Sequence, residues 1–412
     1  MAFMRSLRVG FGVALCLSAI SCGGGGDDTA GTPTTPPTPT PAVNTATVIV
    51  DQGPTVNGSP IGSVNTLFTT VTVCVPGSTT NCQTIDHIQV DTGSYGLRLL
   101  APVLTLTLPV ETLSSGGSLA ECTQFVDGYS WGSVATADLT IAGETAKSLP
   151  VQVIGDPNFT NIPTECSSTG GTQEDTVVTF GANGILGVGP FALDCGDCDT
   201  TTNGLYFACA TSCTDTTVPD AMQVANPVTL FAADNNGIII DLPAAAPAGA
   251  VTLSGSLIFG IDTQSDNQSG TQTVLTVDGN AELAMTFNGQ TLANSFIDSG
   301  SNGIYFADSS ISTCTTTGLT TFYCPANTLN LGLSITGANG TMANNLVFNV
   351  GNAETMLNDN PTFNVFPELA GTLPAGNAGS FDYGLAFFYG KRVAVAVDGD
   401  TTSVGTGPYI AF

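Results

Sequence analysis

An internal duplication restricts, more than any other feature, what this 412-residue chain can fold into. The segment Ile-Gln-Val-Asp-Thr-Gly-Ser-Tyr-Gly-Leu at 88–97 recurs in kind as Ser-Phe-Ile-Asp-Ser-Gly-Ser-Asn-Gly-Ile at 295–304. Each copy is followed later by an apolar segment containing glycine, at 184–189 and at 383–388. Two half-chains built on one plan predict two lobes related by a pseudo-twofold axis, in which Asp91 and Asp298 are equivalent.

The pattern of the remaining chain predicts an all-β fold. Short alternating or β-branched runs, such as 47–50, 67–75 and 85–90, are separated by Gly, Asn, Asp and Pro. The 49 glycines and the low share of charged residues, 9%, favour strands and tight turns over a helical bundle. Residues 218–232 are the best helical candidate in the first half.

The N-terminus predicts export and lipidation. Residues 1–21 carry two arginines and then a short apolar run, which is typical of a signal peptide and too short for a membrane span. Leu-Ser-Ala-Ile-Ser before Cys22 resembles a bacterial lipobox, so Cys22 is the predicted lipidation site; the alternative is an ordinary leader with an incidental cysteine. The Gly-, Thr- and Pro-rich residues 22–45 predict a tether. The lobes are then expected at 46–235 and 236–412.

The charge of the chain restricts its partners. After residue 22, 33 acidic residues face only four basic ones, which leaves a formal charge of −29. Such a surface repels nucleic acid, so this class of partner is excluded. Gly23 rather than Asp after Cys22 favours retention in the outer membrane, facing the periplasm or the cell surface. We expect membrane contact only through the lipid, and a monomer.

Ten cysteines remain besides Cys16 and Cys22, which in an exported protein predicts five disulfides. Spacing favours Cys74 with Cys82 and Cys314 with Cys324, and Cys122 with Cys166 then follows. The cluster Cys195, Cys198, Cys209 and Cys213 has spacing that suits zinc as well as two disulfides. Export and the even count favour disulfides, so neither a metal nor a cofactor is predicted.

From about residue 60 to 412, these motifs resemble the pepsin-like aspartic peptidases. The resemblance implies a two-lobed, pepsin-like acid-protease fold with a cleft between pseudo-twofold related β lobes. It also implies that Asp91 and Asp298 share a nucleophilic water that hydrolyses an extended peptide. Two facing carboxyls suit this chemistry because like charges at close range cannot both ionise, which leaves one shared proton.

The resemblance assigns further residues to supporting roles. Gly93 and Gly300 would form the tight turns, and Ser94 and Ser301 would bond the outer carboxylate oxygens. The hairpin segment 128–133 is similar to the family's flap, which places Tyr129, Ser130, Trp131 and Gly132 against substrate, with Tyr129 as the flap tyrosine. Trp131 is then expected at the tip, where it either contacts ligand or only caps the hairpin.

Arg98 departs from the family, which commonly has Trp at this position. Near the dyad, its charge would hold both carboxyls ionised; alternatively, it points outward and binds another acid. His87 is the only histidine and lacks a Gly-x-Ser-x-Gly elbow, so a serine triad is disfavoured. The sequence therefore predicts an aspartic-type endopeptidase. The alternative is a catalytically inactive pepsin-fold lipoprotein that binds peptides or envelope components.

Overall fold

The structure is a computed structural model that describes residues 43–126, 128–168, 171–373, 377 and 379–412. The predicted signal peptide, the lipidation site Cys22 and most of the tether lie outside the described residues. Two residues assigned to the tether belong to the folded part. Asn44 is buried and its side-chain amide donates a 2.9 Å hydrogen bond to the Phe259 carbonyl, and the first strand begins at Thr45.

The regular secondary structure of the described chain is almost entirely β-strand, which confirms the predicted fold class. The strands of the first half are β1 (Thr45–Val50), β2 (Thr55–Val56), β3 (Ser59–Pro60), β4 (Leu67–Cys74), β5 (Cys82–Asp91), β6 (Tyr95–Leu100), β7 (Ser118–Gln124), β8 (Gly128–Ile141), β9 (Glu144–Ile154), β10 (Thr172–Gln173), β11 (Gly184–Val188), β12 (Tyr206–Cys209) and β13 (Cys213–Asp215). Two one-turn helices interrupt them, α1 (Thr164–Ser167) and α2 (Val177–Phe180).

The second half repeats this composition with one longer helix, α3 (Ala353–Asp359). Its strands are β14 (Gly237–Asp241), β15 (Leu253–Phe259), β16 (Val274–Thr276), β17 (Leu283–Phe287), β18 (Gln290–Ile297), β19 (Ile304–Phe306), β20 (Leu329–Thr336), β21 (Met342–Val350), β22 (Ala370–Gly371), β23 (Phe381–Tyr383), β24 (Arg392–Ala396), β25 (Thr401–Thr402), β26 (Gly405–Thr406) and β27 (Tyr409–Ala411).

Alternation of side chains explains how these strands build a core. In β17, Leu283, Met285 and Phe287 are buried while the two residues between them are half-buried, as a strand with one face on the core requires. Phe287 packs within a cluster of aromatic rings, with the ring centre of Phe306 at 4.9 Å. Substitution of such a residue by a polar one would leave a core position unfilled.

The first half closes into a barrel. Strands run in the order β8, β9, β6, β11, β5 and β4, and β4 pairs back onto β8 with Thr72 opposite Thr140. The same sheet continues into the second half through β1, which pairs antiparallel with both β4 and β15. A separate sheet of the second half has the order β21, β20, β17, β18, β23, β19 and β22.

One strand arrangement occurs once in each half and positions both aspartates. In the first half, β11 lies between β5, to which it is parallel, and β6, to which it is antiparallel. In the second half, β23 lies in the same way between β18 and β19. The strands that end at the aspartates, β5 and β18, are thus held by equivalent neighbours, and the duplication seen in the sequence is a duplication of structure.

Two further features bear on the sequence predictions. The helix expected over 218–232 is wrong: only the short 3₁₀ turns Asp220–Met222 and Pro227–Leu230 form there. Each begins at or just after a proline, which fits the first turn of a helix but cannot extend a preceding one. Among the described residues, no helix is long and apolar enough to cross a membrane.

Five disulfides join the ten cysteines. Cys74 pairs with Cys82, Cys122 with Cys166 and Cys314 with Cys324, as the spacing predicted. The four-cysteine cluster forms Cys195–Cys198 and Cys209–Cys213. Because zinc is bound by free thiolates, these paired sulfurs are not available to it.

Candidate active site

Each Asp-[Thr/Ser]-Gly turn binds its own aspartate in the same way. The backbone N–H two residues after the aspartate donates to one carboxyl oxygen, and the serine hydroxyl three residues after it donates to the other. These bonds measure 2.8 and 2.5 Å for Gly93 and Ser94 on Asp91, and 2.7 and 2.8 Å for Gly300 and Ser301 on Asp298. Two donors hold each carboxyl in one orientation.

Hydrogen bonds across the pseudo-twofold axis join the two turns. The Thr92 N–H donates to Ser299 Oγ at 3.1 Å, and the Ser299 N–H donates to Thr92 Oγ1 at 3.0 Å. The Ser299 hydroxyl donates in turn to the Val90 carbonyl at 2.9 Å, and Gln89 Nε2 donates to the Gly300 carbonyl at 2.8 Å. These contacts fix one turn relative to the other.

The two carboxyls are therefore in direct contact. Asp91 and Asp298 are hydrogen-bonded to each other, and both are buried. A Cβ atom at Gly300 would lie only 2.4 Å from Asp91 Oδ1 and 3.2 Å from Asp298 Oδ1, so only glycine leaves room for the pair. A side chain at this position would push the Asp91 carboxyl away.

The electrostatics of the pair favour a shared proton. Burial raises the pKa of the Asp298 carboxyl well above its ordinary value, and the charges of Asp91 and Asp382 raise it further. The Gly300 N–H acts in the opposite direction by stabilising the charged form. One proton on two facing carboxyls is the arrangement through which aspartic proteases activate water.

Glycines beneath the turns allow the central strands to approach closely. Gly187 in β11 lies opposite Asp91, and a Cβ atom on it would come within 2.5 Å of the Tyr95 N atom. In the second half, a Cβ atom on Gly384 would come within 2.3 Å of the Gly303 carbonyl oxygen. The apolar glycine-containing segments found in the sequence thus support the turns from below.

A cavity of about 690 Å³ opens beside the turns, between residues of both halves. Residues 92, 93, 95 and 190–194 contribute from the first half, and residues 279–282, 296–297, 398 and 410 from the second. A second cavity of about 370 Å³ lies on the other side of Tyr95 and is lined by residues 93–95, 123–124 and 203–205. Gly93 and Tyr95, which follow Asp91 in the chain, line both cavities.

Tyr95 separates the two cavities and was not singled out by sequence reasoning. Burial raises the pKa of its hydroxyl, and the charges of Asp91 and Asp298 raise it further, which places the hydroxyl within the field of the dyad. Its ring packs 5.7 Å from that of Phe191. The sequence signal was present, since Tyr95 directly follows the Asp-Thr-Gly-Ser turn.

The predicted flap forms as the β7–β8 hairpin, but its side chains are arranged differently from the expectation. Trp131 lies inside β8 opposite Cys122 and not at the tip, where the Phe125 N–H bonds the Gly128 carbonyl. Its indole N–H donates to the Phe159 carbonyl at 2.6 Å, and its ring packs against Phe207. Placing Trp131 at the tip was wrong because the disulfide-linked layer around Cys122 buries it.

The other three predicted flap residues are likewise buried. Tyr129 packs in the same apolar cluster as Trp131, and the Ser130 hydroxyl donates to Gln152 Oε1 at 3.3 Å. Gly132 allows close approach of β9, because a Cβ atom there would lie 1.8 Å from the Val153 carbonyl oxygen. None of the four lines either cavity next to the dyad. In this conformation, the hairpin presents Gln124 instead.

Arg98 lies inside the protein, 1% exposed, and binds two acids other than the dyad. Its guanidinium contacts Glu121 Oε1 at 2.5 Å and Asp194 Oδ2 at 2.8 Å. It also donates to the Tyr95 carbonyl at 2.6 Å, directly after the first Asp-Thr-Gly-Ser turn. Two carboxyls against one cation leave an excess negative charge: burial, and then the charge of Glu121, raise the pKa of Asp194 well above its ordinary value. Arg98 therefore carries no free positive charge toward the dyad.

A third buried carboxyl, Asp382, stands beside the dyad and was missed by sequence reasoning. It lies in β23, opposite Phe296 of β18 and Tyr305 of β19, and is 1% exposed. Its carboxyl contacts the Ser301 hydroxyl, which binds Asp298. The available signal was an acidic residue within an apolar strand, directly before Tyr383-Gly384.

An all-β protein whose two equivalent halves bring paired Asp-[Thr/Ser]-Gly turns together has a fold of the pepsin-like class. The chain itself belongs to the family described as "Protein of unknown function (DUF3443)", whose model matches residues 40–412. Among solved structures, it is similar to an aspartic proteinase from Irpex lacteus at 15% identity and a TM-score of 0.47, over 89% of this chain and 96% of that one. A comparison with curated proteins finds no match.

Proposed function

We propose that this protein is an aspartic-type endopeptidase that hydrolyses extended peptides with a water activated by Asp91 and Asp298. The observation that supports this most is the direct contact between the two carboxyls, with donors on their outer oxygens. A buried carboxyl pair kept in contact loses solvation and is costly to stability, so structural need alone does not account for it.

The proposed reaction follows from the positions of the protons. Asp91 in its ionised form accepts a proton from the bound water as the water oxygen attacks the peptide carbonyl carbon. Asp298 in its protonated form donates to the carbonyl oxygen, which yields a neutral tetrahedral intermediate. Asp91 then donates its proton to the amide nitrogen while Asp298 takes a proton from one hydroxyl of the intermediate. The C–N bond breaks to give an amine and a carboxylic acid, and the pair again holds one proton.

The cleft supports a preference for cationic peptides. Glu282 and Asp398 line the larger cavity, and no Lys or Arg of the described residues lines it. Within the same part of the chain, the only cation at the smaller cavity is Arg98, which is bound by two acids. A basic side chain placed beside Glu282 would gain an attractive interaction that an acidic one would not.

Cleavage of a peptide library by the mature protein, from about pH 2.5 to 7, tests the proposal. We expect cleavage below neutral pH, inhibition by pepstatin, and loss of cleavage in Asp91→Asn and Asp298→Asn. The matched control is Asp234→Asn, a buried carboxyl that bonds Thr263 and Gln264 away from the cleft. Library binding without cleavage by the wild type would favour instead an inactive peptide-binding protein.

We also propose that lipid on Cys22 anchors the protein to the outer membrane, where it acts as a monomer. This rests on the lipobox-like segment and the Gly/Thr/Pro-rich stretch after it. Metabolic labelling with a fatty acid tests it, because Cys22→Ala should abolish incorporation and release the protein from the membrane fraction.

A further inference from the structure

The internal duplication shows which residue Asp382 replaces. In the first half, Ile185 of β11 lies opposite Gln89 of β5 and Arg98 of β6. Gln89 precedes Asp91 by two residues, and Arg98 follows it by seven. In the second half, Phe296 precedes Asp298 by two residues, and Tyr305 follows it by seven. Since Asp382 lies opposite Phe296 and Tyr305, it occupies in the second half the place of Ile185.

An apolar residue fills this place in the first half without any polar partner, so the fold does not require a carboxyl there. Ile185 is fully buried, and Asp382 is buried nearly as deeply. Among the described residues, Asp382 forms no ion pair with a cation, and its Oδ1 atom has no hydrogen-bond partner. A buried, unpaired carboxylate is costly, whereas the neutral acid is far less so.

The single hydroxyl proton of Ser301 limits how Asp382 can bind it. That proton is directed at Asp298 Oδ2, with a distance of 2.8 Å between the oxygens. An ionised Asp382 would compete with Asp298 for this proton, because a carboxylate only accepts. A protonated Asp382 can instead donate to a free lone pair of Ser301 Oγ. The hydrogen bonds then run in one direction, from Asp382 to Ser301 and from Ser301 to Asp298.

We propose that Asp382 is a positioning residue that, in its protonated form, donates a hydrogen bond to Ser301 Oγ and thereby fixes the Ser301 hydroxyl on Asp298. The proposal rests on the proposed peptidase function. Ionisation of Asp382 turns this hydroxyl away from Asp298 and adds a negative charge beside the dyad, so activity ends where Asp382 loses its proton.

The groups around Asp382 favour its protonated form. Asp298 and Asp91 face it from the two turns, and both are acidic; burial first, and then the charge of Asp91, raise the pKa of Asp382 well above its ordinary value. From β19, the Tyr305 hydroxyl is directed to Asn302 Oδ1, and on its own strand Tyr383 is buried with a raised pKa. The Ser301 hydroxyl acts the other way on the pKa of Asp382, and less strongly than burial.

The pH dependence of turnover in Asp382→Asn and Asp382→Ile tests the proposal. Asn supplies a permanent N–H donor to Ser301, so we expect the alkaline limb of kcat/KM to move upward by on the order of one pH unit. Ile is the residue at the equivalent place in the first half, and it supplies no hydrogen-bond donor to Ser301. We therefore expect kcat to fall on the order of tenfold with little change in KM. In the control Asp234→Asn, the alkaline limb of kcat/KM and the value of kcat should stay unchanged.

The outcomes separate this proposal from the one on which it rests. An alkaline limb that stays or moves downward in Asp382→Asn, with turnover retained, contradicts the role of Asp382 alone. If the wild type cleaves nothing at any pH, the proposed function fails and this role fails with it.

Thermal unfolding tests the protonation without turnover. Because the folded protein holds this proton more tightly than the unfolded chain, the Tm of the wild type relative to Asp382→Asn should fall as pH rises from about 4 to 7. A Tm difference that does not change with pH contradicts a protonated Asp382.

Discussion

Arg98 and Tyr305 occupy equivalent positions, each seven residues after the aspartate of its half's Asp-[Thr/Ser]-Gly turn, and each bonds the residue four after that aspartate. Arg98 donates to the Tyr95 carbonyl, and the Tyr305 hydroxyl donates to Asn302 Oδ1. Both side chains are almost fully buried. In both halves, a side chain at the same position holds the turn, an arginine in the first half and a tyrosine in the second. Only the arginine needs buried acids to neutralise its charge.

Removal of Arg98 should destabilise the protein in a pH-dependent way. Arg98→Met leaves Glu121 and Asp194 buried without a cation, which should cost about 3–5 kcal/mol near neutral pH. The folded pKa of Asp194, already raised in the wild type, then rises further above the unfolded value, so stability falls as pH rises above about 4, and the loss is smallest in acid. Urea unfolding at pH about 4 and about 7 measures this.

Neutralising the acids provides the matched control. The triple variant Arg98→Met, Glu121→Gln, Asp194→Asn should recover at least half of the lost free energy of unfolding at neutral pH. Equal destabilisation of the single and triple variants would show that Arg98 acts by packing and not by charge.

The reciprocal bonds between Thr92 and Ser299 should contribute to both stability and turnover. Thr92→Val and Ser299→Ala each leave a buried N–H without its partner, which should cost roughly 1–3 kcal/mol. As a control, Thr72→Val removes one partner of the solvent-exposed Thr72–Thr84 pair, whose oxygens lie 2.8 Å apart, and should have little effect. Similar losses at all three positions would contradict a special role for the inter-lobe bonds.

His87 should make stability depend on pH near neutrality. Its hydrogen bond to Asp51, 3.3 Å between Nε2 and Oδ2, raises the pKa of the imidazole against the opposing effect of burial. This contribution is complete below the unfolded pKa and is lost as pH rises through the folded one. It should not exceed about 1 kcal/mol, since both groups are partly exposed.

The variant for this test is His87→Asn, because residue 87 has a φ of +47° and Asn tolerates that conformation. The difference in Tm between His87→Asn and wild type should be larger at pH about 5.5 than at about 8.5. A difference that is independent of pH contradicts the proposed charge contribution.

Glu282 should favour basic side chains in peptides. Glu282→Gln should lower kcat/KM for peptides with Lys or Arg near the scissile bond by roughly three- to tenfold, with little effect on neutral ones. Burial, and then the charge of Asp278, raise the pKa of Glu282, so the preference should grow with pH above about 5. The exposed Glu165→Gln is the control; an equal loss on both kinds of peptide would contradict the charge effect.

The duplication in the sequence was sufficient to predict the pairing of Asp91 with Asp298. Both turns are local motifs, and two copies of one sequence motif are expected to adopt the same local structure. The disulfides joining near neighbours, Cys74–Cys82 and Cys314–Cys324, were predictable for the same reason. Each closes a short loop and needs no knowledge of the rest of the fold.

Residues whose role depends on long-range pairing were not predictable. Arg98 meets Asp194 across 96 positions, and only the pairing of β6 with β11 shows that it points into the protein. In the sequence Asp382 is only an acidic residue within an apolar segment, and its place beside Ser301 follows from the register of β23. Trp131 was placed at the hairpin tip because the position of the turn cannot be counted from residue types alone.

Asp91 and Asp298 should hydrolyse peptide bonds only as a pair. The most direct measurement is turnover of a cleaved library peptide by wild type and by Asp298→Asn at matched Tm, at the acidic optimum. We expect kcat to fall at least about 10³-fold, because the variant has no acid to protonate the carbonyl oxygen. Turnover by Asp298→Asn within tenfold of the wild type would contradict the account.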